Sequence, residues 1–359
     1  MRGPGLRGRA RAGSLASRGE ARRGHDPDEW GWATSPLKLA LLGALAAAAC
    51  GSFEDPAIII DLRPVAATAE PPEQVVDVDP ANPLGGELQD VRVCALVADP
   101  RRRQLAWSMV ACPPKRDLRC DDLARPFIVL EPEVVVTAAQ AVGQVACATI
   151  PDGPALLAVV RATIEDDPLG GFGGVDINVA VSARTTDGVA DESVDLGKAV
   201  RFSPRLPAER VANTNPVLTE VAAQIDRGGG IEEPAVVPSG ACTSPEFGLQ
   251  VPSGADVKFA PRPLEGSAET YVVPTFEGGS RTFTENLRYQ WLATAGSWSR
   301  ADTGGPRDPA GNPPVLSSTW TAPEVAAGAA PRLVDLWVIQ RDERGGASWL
   351  PVCAVVRPR

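Results

Sequence analysis

The side chains of this 359-residue chain that could do chemistry are seven cysteines, 45 carboxylates and one histidine. Cys50 stands apart from the other cysteines. It follows the run at 37–49, LKLALLGALAAAA, and precedes Gly51 and Ser52. A positive flank, an apolar core of about 7 to 15 residues and small residues at the cut mark a secretory signal. A cysteine directly after that cut offers a thiol that can carry lipid. The run from 37 to 49 is 13 residues long, whereas a bilayer-crossing helix needs about 20, so it reads as a signal and not as a span. Ordinary secretory cleavage nearby, with Cys50 left as a thiol, is the alternative.

The other six cysteines are Cys94, Cys112, Cys120, Cys147, Cys242 and Cys353. An even set in an exported chain reads as disulfides. Four fall in the first half and two in the second, so separate domains would pair Cys242 with Cys353. In the first half the favoured pairs are Cys112 with Cys120, closing a short loop, and Cys94 with Cys147, joining two strands. A zinc site competes for the same residues, but Cys-x7-Cys is not metal-ligand spacing and no histidine is near to complete it.

Catalysis is narrowed by exclusion. The single histidine, His25, precedes Cys50, so the chain after the cut has none. That removes Ser-His-Asp and Cys-His machinery, histidine-ligated zinc and the facial-triad iron site. A glycosidase needs only two carboxylates, and Glu131, Glu133, Asp166 and Asp167 are available without any spacing that pairs them. Glu165, Asp166 and Asp167, with Asp176 beyond the glycines, have calcium-ligand chemistry but no recognised loop spacing, and read as a helix end followed by a loop. Gly170–Gly174 precedes a strand and lacks G-K-[ST], so it is a turn and not a phosphate loop. The sequence therefore assigns no catalytic residue, metal or cofactor.

Charge points the same way. Residues 1–49 hold eight basic and four acidic side chains, which leaves 27 basic against 41 acidic and a net charge of −14 for the remainder. Such a surface repels phosphate backbones, so nucleic acid is not an expected partner. Arg101–Arg103 reads as a hairpin tip after Asp99-Pro100.

The elements that must carry these residues are mostly strands. Expected strands lie at 57–62, 74–79, 90–98, 104–110, 127–130, 133–137, 144–150, 175–183 and 193–202, with 104–110 returning as the partner of 90–98. One helix is expected from Pro154, capped by Asp152, with Leu156, Leu157, Val160 and Ile164 on one face and a stop at Asp167-Pro168. Later strands are expected at 217–225, 287–292, 318–323, 333–341 and 347–356. Trp107, Trp291, Trp320 and Trp337 fall in strands and read as core, while Trp298 and Trp349 read as the exposed pair.

These elements divide the chain into a disordered extension at 1–36, a signal at 37–49, a lipid-anchored tether at 50–56, a first module at 57–205, a linker at 206–216 and a second module at 217–359. Met109 is the only methionine after Met1, and translation is expected to start near residues 35 to 39.

STWTAP at 318–323, followed by LVDLWVIQR at 333–341 and the Asp342-Glu343-Arg344-Gly345-Gly346 turn, resembles the last strands of bacterial immunoglobulin-like or PKD-like sandwiches. A fainter echo joins Leu105-x-Trp107 to Tyr289-x-Trp291, and Cys94, Trp107 and Cys147 follow the Cys, Trp, Cys order of immunoglobulin domains. CGSFEDP at 50–56 and the DLR…AEPPEQVVDVD stretch at 61–79 resemble a bacterial lipoprotein family of no established activity. That resemblance implies lipid on Cys50, although Ala47 stands where the lipobox usually has leucine, and an address at the outer membrane, on its periplasmic or surface face. The expected fold is mainly β, with two immunoglobulin-like β-sandwich modules, the first holding a short inserted helix.

The expected function is a non-catalytic binding or structural module of the cell envelope. Its expected partners are the membrane, through lipid on Cys50, and an envelope protein or polysaccharide. The alternative is a carbohydrate-active hydrolase using two carboxylates. Replacing Cys50 with Ser is expected to release the protein from membranes and to remove the acyl mass from its N-terminal peptide; unchanged membrane retention contradicts lipidation.

Overall fold

A computed structural model describes residues 55–77, 88–114, 119–136, 141–188, 192–226 and 233–359. The extension, the signal and Cys50 lie outside these residues. All described residues belong to one compact unit, and among them no helix is long and apolar enough to cross a membrane.

The fold is mainly β and consists of two sandwiches. In the first, β1 (Arg63–Glu70), β3 (Val91–Ala98), β7 (Gly143–Ile150) and β6 (Glu133–Val136) form one sheet in that order. Facing it are β2 (Glu73–Val76), β9 (Ser193–Pro204), β8 (Val175–Thr185), β4 (Leu105–Cys112) and β5 (Ile128–Leu130). Side chains alternate across a strand, so Val91, Val93 and Ala95 of β3 meet Ile177, Val179 and Val181 of β8 in the core. Helix α1 (Pro154–Asp166) closes this core with Leu156, Val159 and Val160.

The second sandwich pairs β11 (Ala235–Val236), β10 (Leu218–Asp226), β13 (Asp256–Pro263), β19 (Ser318–Thr321) and β17 (Ser297–Trp298) with β12 (Leu249–Pro252), β21 (Ala347–Arg357), β20 (Arg332–Arg341), β16 (Arg288–Ala293) and β18 (Asp302–Gly304). Its core gathers Phe259, Trp291, Trp298 and Trp320, with ring centroids of Phe259 and Trp298 5.7 Å apart and of Trp291 and Trp298 5.3 Å apart. An additional hairpin, β14 (Thr270–Pro274) with β15 (Ser280–Thr284), pairs with no other strand among the described residues.

The two modules share a sheet plan. A short edge strand, β2 or β12, runs parallel to the last strand, β9 or β21, which forms a hairpin with β8 or β20. The next strand inward is β4 or β16, so Leu105-x-Trp107 and Tyr289-x-Trp291 occupy equivalent strands.

The modules meet sheet face to sheet face. Leu96 and Ala98 on the outer side of β3, with Val65 of β1, pack against Leu292, Trp337 and Ile339 on the outer side of the second module's β16 and β20. Gly143 leaves the space that Trp337 fills, since a β-carbon there would sit 3.2 Å from its ring.

Several expectations are corrected. Residues 57–62 are not a strand. They cross between modules: Ala57 enters the second core, Ile59 the inter-module cluster and Leu62 a cluster with Val97 and Ala183 of the first module. The Ile59 N–H donates to the carbonyl of Ala293, and the Ala293 N–H to that of Ala57. Strand β4 is not the partner of β3 but crosses to the opposite sheet. At this corner the buried Asp99 carboxylate accepts the Arg101 and Arg103 N–H groups and the Arg103 guanidinium, while Arg102 takes φ 58°.

Asp152 does not cap α1. Gly153 holds the cap position, and the Asp152 N–H donates to Asp90. Trp298 is buried and Trp349 half-buried, while Trp107 is half-buried instead of core. The bonds Cys94–Cys147, Cys112–Cys120 and Cys242–Cys353 are present. Cys94 and Cys147 face each other across β3 and β7, on the outer side of one sheet. In an immunoglobulin domain the bond joins the two sheets against tryptophan, so the Cys, Trp, Cys order does not carry that arrangement here.

Candidate functional site

Away from the apolar seam, the modules are joined by charge. Glu73 opens β2 after Pro71-Pro72, and its carboxylate is 1% exposed. One oxygen accepts from the Ser203 hydroxyl at 2.5 Å and from Arg210 at 3.0 Å; the other accepts the Asn213 N–H at 2.8 Å, with Arg344 3.6 Å away. An isolated buried carboxylate is costly, and here donors surround it. Ser203 and Arg210 belong to the first module and its exit, Arg344 to the second. Residues 206–216, expected as a linker, have no regular element, but Asn213 is buried and serves both sides.

The turn from 342 to 346 completes the joint. Asp342 accepts the N–H groups of Arg344 and Gly346, and its second oxygen accepts from the Asn213 side chain. Only glycine fits at 346, because a β-carbon there would meet the Asp342 carboxylate at 2.1 Å. This closed turn aims Arg344 into a nest of acceptors: Glu285 at 2.8 Å, Glu269 at 2.7 Å and the Asn213 side-chain Oδ1 at 2.8 Å. Its guanidinium also lies 4.7 Å over the Tyr271 ring, within cation–π range. Burial lowers the Arg344 pKa, and the bonds to Glu285 and Glu269 more than offset this, so the net shift is upward. Burial raises Glu285.

Above this joint lies a cleft of about 580 Å³. Its walls are the Gly-rich turn after α1, the β9 residues Ala199 and Arg201, the 343–345 turn and the β14–β15 hairpin. The hairpin tip reaches the first module, where Phe276 stacks on Phe172 with centroids 5.8 Å apart. Phe276 is 81% exposed. The cleft wall carries three arginines, Arg201, Arg210 and Arg344, and three carboxylates, Glu73, Asp176 and Glu343. Arg201 bonds Asp176 at 3.1 Å and the Gly173 carbonyl at 2.6 Å, and Glu343 bonds Asn286 at 3.0 Å. The wall holds equal numbers of acids and bases, and each of them has a bonded partner, in the wall or beside it.

The carboxylates singled out for catalysis or calcium are not gathered here, apart from Asp176. Asp166 pairs with Arg125 at 2.5 Å, and Asp167 accepts the Gly171 N–H at 2.7 Å, which folds the Gly-rich turn. Glu165 is exposed at the end of α1. Glu131 and Glu133 border an open groove beside Arg92 and β5. Among the described residues no group of three or more histidine, cysteine or acidic side chains could hold a metal. Glu73, Asn213, Asp342 and Arg344 were not foreseen as a set, because residues 73 and 344 have no sequence relation that brings them together.

No protein-family model matches the chain, and no curated protein matches it. Among solved structures it is similar to AggA, the major subunit of aggregative adherence fimbriae type I from Escherichia coli, with 9% identity over 40% of this chain and 95% of that one and a TM-score of 0.21. It is also similar to the C-terminal domain of the Streptococcus agalactiae AgI/II polypeptide BspA, with 10% identity over 81% of this chain and 100% of that one and a TM-score of 0.16. At these scores neither likeness bears on function.

One buried amine in the joint gives a pH test. Lys198 of β9 is 7% exposed and donates to the Gly345 carbonyl. Burial pushes it down to about 8, against a partial pull upward from Asp342. The unfolded state therefore binds more protons than the folded state between pH 8 and 10.5, and stability rises with pH across that window, by up to about 1.4 kcal/mol per unit. Urea unfolding across this range should show the rise, and Lys198→Met should flatten it; equal slopes in the two proteins would assign the rise to other groups.

Proposed function

We propose that this chain is a non-catalytic binding module of the cell envelope, anchored by lipid on Cys50 and presenting the cleft between its modules as the binding surface. The observation that carries this reading is the wall of the cleft. Its acids and bases are engaged in bonds within and between the modules, while Phe276, Leu169 and Val273 remain exposed on it. Exposed apolar side chains rimmed by polar ones mark binding surfaces.

The path of the chain supports a site turned away from the anchor. Asp55–Ile59 dock on Ala293 at one end of the second module, and Arg63 at the start of β1 donates to the Pro56 carbonyl. β1 then runs seven residue steps to Glu70, about 23 Å, where Glu70 accepts from Asn215 beside the joint. Five residue steps from Cys50 to Asp55 reach at most about 18 Å. A lipid on Cys50 thus holds the docked end close to the membrane and the cleft at the far end.

The hydrolase alternative is decided by turnover. Purified protein incubated with envelope polysaccharides is expected to release no new reducing ends; release that is abolished by Glu131→Gln, Glu133→Gln, Asp166→Asn or Asp167→Asn would overturn the non-catalytic reading.

A further inference from the structure

We infer that the cleft takes an extended peptide, which pairs as an added strand with the free edge of β14; this rests on the cleft being the binding surface. Four consecutive β14 residues, Tyr271, Val272, Val273 and Pro274, line the cleft. Side chains of a strand alternate between faces, so four in succession mean that the strand turns its backbone edge to the cleft, and not one face.

The hairpin register shows which backbone groups are offered. The Thr275 N–H donates to Gly279 and the Glu285 N–H to Glu269, which fixes 275 with 279 and 269 with 285 as hydrogen-bonded pairs. Residues alternate along an antiparallel ladder, so Tyr271 with Phe283 and Val273 with Arg281 are also bonded pairs. Thr270, Val272 and Pro274 fall at the other positions, with their backbone groups directed away from β15. Thr270 and Val272 each offer an N–H and a carbonyl there. Pro274 offers a carbonyl alone, which limits the length over which another strand can pair.

The surroundings select the chemistry of the guest. The three arginines and three carboxylates of the wall leave no net charge to attract an ionic ligand. Phe172, Phe276 and Leu169 offer apolar contact, and Phe172 is also a wall of an adjoining apolar pocket of about 240 Å³ bordered by Val160, Ile164 and Leu206. A peptide without net charge, bearing apolar residues at every second position, meets both features. Backbone pairing supplies affinity and the pocket supplies selection.

Val272→Pro separates backbone pairing from side-chain contact. It removes an outward N–H but no β14–β15 ladder bond, and proline is tolerated at such edge positions. The probe is a fluorescein-labelled, capped heptapeptide alternating valine or phenylalanine with serine or threonine, titrated into the full chain by fluorescence anisotropy. A labelled neutral oligosaccharide is titrated in parallel. Wild-type protein is expected to bind the peptide and to protect the Val272 amide from hydrogen exchange. Val272→Pro is expected to weaken binding about ten-fold, the effect of one lost hydrogen bond, with the Tyr271–Phe283 contact retained by NMR. Equal peptide affinity in Val272→Pro and wild type overturns strand addition. Oligosaccharide binding that is lost in Phe276→Ser, with no peptide binding, overturns the peptide inference and leaves the cleft as the binding surface. If neither probe binds, both readings fall.

Discussion

A carboxylate shut away from water must be met by donors on every side, and Glu73 is met by donors from both halves of the chain. Ser203 and Arg210 reach it from the end of the first module, the Asn213 N–H from the connection and Arg344 from the second module. Removing one partner of such a buried set costs more than the set itself contributes, because an uncompensated charge remains. The joint therefore specifies how the modules sit. Arg344 could not reach Glu73 without the closed 342–346 turn, and that turn is held by Asn213 and Gly346. The cleft exists because this joint fixes the Gly-rich turn of one module beside the hairpin of the other.

The apolar seam works with the joint. β20 is buried along nearly its whole length: Val334, Leu336 and Val338 enter the second core, while Trp337 and Ile339 face the first module. Burial on both faces removes the polar alternation of a half-exposed strand, and the sequence LWVI at 336–339 is the trace of that. The same logic explains AIIIDL. Its apolar residues do not line one face of a strand but are shared among three clusters, with Ile60 left 46% exposed.

Much of the architecture was legible from local pattern. Strands β10, β16, β19, β20 and β21 of the second module, the helix with its stop at Asp167-Pro168 and the turn at 342–346 all follow from alternation, spacing and turn chemistry. Local pattern does not report which sheet a strand joins. Asp99-Pro100 reads as a hairpin turn, yet β4 after it lies in the opposite sheet. The hairpin β14–β15 was missed because TYVVP and SRTFT are short and polar at alternate ends. The site was less legible still. That no histidine follows His25 is read directly from the sequence, but Glu73, Asn213 and Arg344 become partners only when the fold closes over large separations. Arginines and acids so far apart carry no mark that distinguishes a buried network from solvated surface.

Bonded through Glu73, the two sandwiches unfold as one cooperative unit. Differential scanning calorimetry of the full chain tests it most directly, since agreement of calorimetric and van't Hoff enthalpies reports all-or-none unfolding. A single transition is expected for the wild type, with a loss of about 3–5 kcal/mol in Glu73→Gln, felt by both modules. Two separate transitions in the wild type, or a Glu73→Gln profile unchanged from it, would contradict the claim.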